Sequence, residues 1–155
     1  MTRTEPTYHH TQKSPLCLLL YALAASLLVL GYVLRAVPTI LWTFPIVGLL
    51  MLALATSFHH LVVKDQGDML LIGFGPVSLF RRTVRYADVM SVEVGRTTIL
   101  DGWGIHLSLK GGWVWNIWGR DCVVLRLKNS GILRIGTDDS ANLVHFLVKR
   151  LPGKE

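Results

Sequence analysis

LCLLLYALAASLLVLGYVL (residues 16–34), RAVP (35–38) and TILWTFPIVGLLMLALATSF (39–58) run one into the next near the start of the chain, and their reading decides the fold. The two outer stretches hold nineteen and twenty residues without one Asp, Glu, Lys or Arg. At about 1.5 Å of rise per residue, some twenty apolar residues cross the ~30 Å hydrocarbon core of a bilayer, so each stretch reads as a transmembrane helix. The short connection makes them a hairpin that returns the chain to the side it left. Tyr32, Trp42, Phe44 and Phe58 lie near the span ends, where aromatic rings favour the water–lipid boundary. Pro45 falls about one turn into the second span, a position that kinks a helix or marks its first turns.

A secretory signal is the competing reading of the first span, since Arg3 and Lys13 precede it. Signal cores run about 7–15 residues and end at a small-residue cleavage site. This run is longer and leads through Arg35 and Pro38 into a second span, so an uncleaved anchor is expected. Basic residues in short flanks set the orientation. Arg3 and Lys13 precede the first span, Arg35 alone sits in the turn, and Lys64, Arg81, Arg82 and Arg85 follow the second. Both termini are therefore expected in the cytoplasm. The organisation that results is an N-terminal tail (1–14), a transmembrane hairpin (15–60) and a cytosolic domain (61–155).

Composition narrows the domain's role. The overall apolar share of 51% is inflated by the two spans. From His59 onward there are thirteen Lys and Arg against nine Asp and Glu, a net of +4 that is dispersed rather than gathered into a polybasic block. Such a surplus suits a surface facing anionic lipid and argues against a nucleic-acid partner. Two cysteines, Cys17 and Cys122, cannot build a disulfide framework and lack neighbours at metal-ligand spacing.

After residue 61 the period shortens. Residues 61–63 and 69–74 flank the polar turn Lys64-Asp65-Gln66-Gly67-Asp68, a β-hairpin signature. Further strands are expected over 77–86, 89–94, 104–109, 113–117, 122–127 and 132–135, with turns at Gly111-Gly112, Gly119-Arg120-Asp121 and Lys128-Asn129-Ser130-Gly131. The last segment turns helical: Thr137 or Asp138 caps it, Asp138 and Asp139 sit at the positive end of its dipole, and Lys149 and Arg150 at the negative end. Leu143, Val144, Leu147 and Leu151 form its apolar stripe, which covers the sheet.

About seven short strands followed by one helix is the plan of pleckstrin-homology-like domains. Gly102-Trp103-Gly104-Ile105, Trp115-Asn116-Ile117-Trp118-Gly119 and Arg134-Ile135-Gly136-Thr137-Asp138-Asp139 resemble segments of small bacterial membrane proteins that carry such a domain. The resemblance covers residues 61–151. It implies an α+β chain in which a two-helix transmembrane hairpin precedes a small pleckstrin-homology-like β-barrel or sandwich with a C-terminal capping helix, held on the bacterial cytoplasmic (inner) membrane. Phosphoinositide-binding members place a Lys/Arg cluster in the first hairpin loop. Here that loop holds Lys64 with Asp65 and Asp68, so that ligand is not expected.

Two groups of side chains stand out as contact residues. Trp103, Trp113, Trp115 and Trp118 fall within sixteen residues. Trp113 and Trp115, two apart, share a face on a strand, either as a docking surface or as core filling. Arg81, Arg82 and Arg85 form the only local basic cluster, which either binds anionic head groups or is a solvated strand face that enforces topology. His9-His10 and His59-His60 each offer one metal ligand at most, so no metal is expected. No carboxylate pair has catalytic spacing, no nucleophile elbow or phosphate loop is present, and no cofactor is implied. Arg81, Arg82, Arg85, Trp103, Trp113 and Trp118 are thus the candidate lipid or partner contacts of a non-enzymatic binding or scaffolding module. The expected partner is another membrane protein or a second copy of the chain. Recognition of anionic lipid head groups is the alternative, and a membrane-associated enzyme the third class.

Overall fold

The structure is a computed structural model and describes residues 7–76, 80–98 and 101–151. Strand β1 (His9–Lys13) leads into helices α1 (Leu16–Val33) and α2 (Pro38–Ser57). Strands β2 (His60–Asp65), β3 (Met69–Phe74) and β4 (Phe80–Arg85) follow, then a short 3-10 turn, Tyr86–Asp88. Strands β5 (Val89–Arg96), β6 (Gly104–Leu107), β7 (Trp113–Asn116), β8 (Asp121–Leu127) and β9 (Ile132–Gly136) precede the terminal helix α3 (Ser140–Arg150).

The two helices match the expected spans to within a residue at either end. Both are long and apolar enough to cross a membrane, and only 17% and 11% of their spanning windows are buried inside the molecule, unlike a core helix. Their contact seam is built from small residues. Cys17, Ala24 and Gly31 are the buried positions of α1, seven apart, and Gly48 and Ala55 repeat that spacing on α2. A β-carbon on Gly31 would meet Pro45 Cδ at 2.9 Å, and one on Gly48 would meet Leu28 at 3.0 Å, so the backbones approach as closely as the side chains permit. Pro38 opens α2 at a position where its missing N–H has no helical partner to lose.

The hairpin is spliced into a sheet. β1 pairs antiparallel with β2 from His9↔Lys64 to Lys13↔His60, so the strands on either side of the helices are neighbours. Residues 9–13, expected to belong to a tail, are therefore an edge strand, and the described residues contain nine strands rather than about seven. One sheet runs β1-β2-β3-β4; the other runs β5-β8-β9-β7-β6, with β7 and β9 parallel. β6 ends at Leu107, two residues short of its expected limit, and residues 77–79 of the expected β4 lie outside the described residues.

The two sheets enclose one core. Alternation in β2 and β3 turns Leu61, Val63, Leu70, Ile72 and Phe74 inward against Trp115, Val123, Leu125, Leu133 and Ile135 of the second sheet. Leu143, Phe146 and Leu147 of α3 close it, with Val144 and Leu151 packed at its margin. The helix starts later than expected, with Asp139 rather than Thr137 or Asp138 at its N-cap. The root of the hairpin is fixed to this core: the Phe58 ring packs on Phe74 (5.1 Å between centroids) and stacks on Phe80 (5.8 Å). Gly75 sits against the end of α2 with φ +68°, where a β-carbon would strike the Thr56 carbonyl oxygen at 2.8 Å.

Because Lys13 and His60 are direct partners, residues 14–59 can be replaced by a two-residue Asn-Gly turn without disturbing the register. The product is expected to be a water-soluble, β-rich domain with a cooperative thermal transition; aggregated, unfolded material would show that the helices are integral to the core. In the same domain, Leu147→Asp places a carboxylate at a fully buried position and is expected to remove more than about 3 kcal/mol, enough to unfold it. An unchanged melting temperature would mean that α3 does not close the core.

Candidate functional site

The candidate contact residues separate into two places. The first is the pole of the domain nearest the hairpin. Trp103, just before β6, and Trp118, in the β7–β8 turn, stack at 4.7 Å with their planes 21° apart, and both remain substantially exposed (47% and 38%). Trp103 also borders an apolar groove of about 220 Å³ against Leu16 and Leu20 of α1 and Leu54 and Phe58 of α2, completed by Gly104 and Ile117. The pair therefore lies level with the first turn of one apolar helix and the last turn of the other.

Asn116 holds this pole together. It is wholly buried and its amide donates to the carbonyls of Gly119 (3.0 Å) and Gly102 (3.4 Å), linking the loops that carry Trp118 and Trp103. Gly136, beside it on β9, leaves the space its side chain needs, since any β-carbon there would overlap the amide oxygen. Gln12 of β1 donates to the Trp118 carbonyl at 3.0 Å. Thr97 donates its backbone N–H to the Arg120 carbonyl at 2.7 Å. Asp101 pins the Trp103 loop from within, accepting from the backbone N–H (2.8 Å) and hydroxyl (2.7 Å) of Thr98. Burial pushes the Asp101 pKa up, but the Thr98 and Ser108 donors and nearby His106 outweigh it and hold the group at about 2.

The second place is β4. Arg82 shares a strand face with Phe80 and Val84, whereas Arg81 and Arg85 point to the opposite face. The arginines expected as one cluster therefore do not form one surface. Arg81 pairs with Gly73 near the hairpin end and Arg85 with Met69 at the far end. Trp113 comes to Arg81 and Arg82 across a crevice of about 340 Å³ that also contains Phe80, Ile105 and Trp115. Trp113 is 44% exposed and Trp115 7%, so of the two tryptophans that share a face one is surface and one is core. The Trp115 indole Nε1 is buried and has no hydrogen-bond acceptor among the described residues.

The remaining titratable groups serve the architecture. Asp65, almost fully buried, accepts from Tyr86 Oη (2.7 Å) and pairs with Arg150 (3.1 Å), joining β2 to α3. Burial and the Asp65 hydrogen bond raise the Tyr86 pKa. Asp138 and Asp139, expected as helix-start charges, also receive β1: His10 Nε2 lies 2.6 Å from Asp138 and Tyr8 Oη donates to Asp139 at 3.0 Å. Cys122 is buried, and burial first of all pushes its thiol up to about 11, so it stays protonated and unreactive at neutral pH. His59 Nδ1 lies 3.1 Å from His60 Nδ1, and burial, then repulsion from His59 and Lys13, lowers the His60 pKa. Among the described residues no three His, Cys, Asp or Glu side chains converge as metal ligands.

Sequence reasoning singled out the tryptophans and arginines as candidates but not Asn116, Asp101 and β1, which position Trp103 and Trp118. A lone polar residue inside Trp115-Asn116-Ile117 was the available signal, because a buried Asn in a strand must find partners. No family model matches the chain, and no curated protein matches it.

The Asp101 carboxyl titrates below its ordinary value of 3.8, so its stabilising effect is complete above about pH 4 and is lost as pH falls through about 2. Asp101→Asn is expected to destabilise the detergent-solubilised protein by about 2 kcal/mol at pH 7 and by progressively less as pH falls through 2. Denaturation midpoints measured across that range check it; a gap that stays constant with pH would show that the charge is not what holds the loop.

Proposed function

We propose that this chain is a multi-pass protein of the bacterial cytoplasmic membrane whose β-rich domain, held at the membrane surface, is a non-enzymatic binding or scaffolding module for another membrane protein. The observation that carries the reading is the insertion of an outwardly apolar helix pair between hydrogen-bonded β1 and β2. An anchor spliced into a sheet at two points holds the domain close to the bilayer and fixes its orientation, which suits presentation of a surface to a neighbour in the same membrane. Arg3 and Lys13 before the helices, Arg35 between them and Lys64 after them favour a cytoplasmic domain and cytoplasmic termini.

Two packed sheets with a C-terminal helix support a pleckstrin-homology-like reading of the domain, with β1 as an addition to that plan. The non-enzymatic reading is supported by how the carboxylates are used. Asp65, Asp101, Asp121, Glu93, Asp138 and Asp139 each hold a structural hydrogen bond or ion pair, and the cysteine of the domain is a protonated core residue. A second reading, contact with anionic lipid head groups, is favoured at the hairpin pole alone. There Trp103 and Trp118 lie beside Arg120 in a shared crevice, at the level where indoles and cations meet head groups.

Reporter fusions at both termini are expected to report the cytoplasm, and a cysteine introduced at Ala36 or Val37 to react with an impermeant reagent from outside. External labelling of the C-terminus in intact cells would overturn the orientation. For the binding role, a photo-crosslinking residue at Trp113 should yield a discrete protein adduct in membranes, while one at Met90, more exposed still on β5, should not. The absence of any protein adduct at Trp113 would leave the module reading without support.

A further inference from the structure

We propose that the free edge of β4 takes up an extended acidic segment of a partner protein as an added strand, its carboxylates seated on Arg81, Arg82 and Arg85. The inference deepens the binding-module reading and rests on it for the partner. Among the described residues β4 is the last strand of its sheet, and one side of its backbone has no ladder. Its residues line two crevices that meet at Arg82. One is the Trp113–Trp115 crevice, and the other, about 380 Å³, is bounded by Asp88, Leu127, Lys128 and Asn129. Six residues at about 3.3 Å each make an edge of roughly 20 Å, long enough for a short added strand.

Charge selects the occupant. Elsewhere in the domain Arg96, Arg126 and Arg150 are each paired with a carboxylate. Among the described residues none pairs with Arg81, Arg82 or Arg85, and Lys128 adds to the same groove against Asp88 alone. Arg82 is half-buried between the sheets, and its burial lowers its pKa, which makes a charge-assisted partner worth more there than at the surface.

Geometry discriminates among occupants. Arg82 and the pair Arg81/Arg85 lie on opposite faces of the sheet, and Arg85 is at the end of β4 away from the hairpin root, so a flat anionic bilayer cannot engage all three. A strand laid along the edge meets both faces, because its own side chains alternate as those of β4 do. A second copy pairing β4 to β4 in full overlap would place each Arg82 diagonally beside the copy's Arg81 and Arg85 on one face, which crowds like charges. An acidic foreign strand remains.

The test uses the full chain in zwitterionic nanodiscs and fluorescently labelled capped peptides, read by anisotropy. A peptide of sequence Glu-Val-Val-Glu-Glu-Val, whose carboxylates fall on both faces of an added strand, is expected to bind, its valine–lysine counterpart is not, and binding should weaken as salt rises. Two further acidic peptides carry backbone N-methyl groups on odd or on even residues. Only one set of N–H groups faces β4, so one of the two should lose binding and the other keep it. Arg82→Gln and the double variant Arg81→Gln/Arg85→Gln are each expected to weaken binding about tenfold with unchanged melting temperature. Equal binding of the lysine peptide, retention by both N-methylated peptides, or arginine variants that bind like the parent would each overturn the proposal. Phosphatidylglycerol vesicles that compete in an Arg82-dependent way would reassign the groove to lipid. Loss of peptide binding with persistent Trp113 crosslinks would sink strand addition alone, whereas loss of both would sink the module reading with it.

Discussion

The register that pairs Lys13 with His60 governs the rest of the molecule, because it joins the two ends of a helical hairpin within one sheet. Packed antiparallel helices stand about 8–10 Å apart and neighbouring strands about 4.8 Å, so a residue or two at each root absorbs the difference. Ser14 and Pro15 do this on one side, with Ser14 Oγ accepting from the Leu16 N–H at 3.1 Å. Phe58 and His59 do it on the other, with the Phe58 ring locked against Phe74 and Phe80. The small-residue seam at Ala24, Gly31, Gly48 and Ala55 keeps the helices close enough for the strands to meet. Closing a long flexible loop carries an entropic cost that grows with its length, but a hairpin already packed returns its own ends, and the sheet forms across it at little further cost.

That constraint also orders the surface. At the roots, Gln12 of β1 holds the Trp118 carbonyl, and Asn116 of β7 ties together the loops that carry Trp118 and Trp103. The tryptophan pair thereby has a fixed height relative to the apolar helices. The β4 groove begins at the same root, at Phe80, and runs away from it. The chain thus divides its exposed aromatic and basic side chains between a pole that faces along the helices and an edge that faces sideways.

The helices were legible from sequence to within a residue, because an uncharged apolar run of that length is too long for a strand. Most of the strands were legible because apolar alternation and glycine turns punctuate them. β1 was not: His9-His10-Thr11-Gln12-Lys13 has no apolar period, and only its pairing with β2 and the grip of Asp138 and Asp139 on His10 and Tyr8 make it a strand. Arg81, Arg82 and Arg85 looked like one cluster because proximity in sequence conceals the two-residue period that sends neighbours to opposite faces. Trp113 and Trp115 carried the reverse difficulty. They do share a face, but β7 reaches out of the core at its start, so only Trp115 is covered.

The exposed edges of the two sheets differ in how they are protected, and this difference is what sets β4 apart. β1 is held at one end by α3, through Tyr8 and Asp139, and its outer residues are polar. β5 carries two ion pairs to β8, Arg96 with Asp121 and Arg126 with Glu93, and α3 packs beside it. β6 is four residues long, too short to template a stable addition. β4 is longer, straddled by crevices and guarded by three cations that no described carboxylate neutralises. Such charges repel a second copy and most basic strands while leaving the backbone open, so the protection is selective: it excludes like charge and admits its opposite.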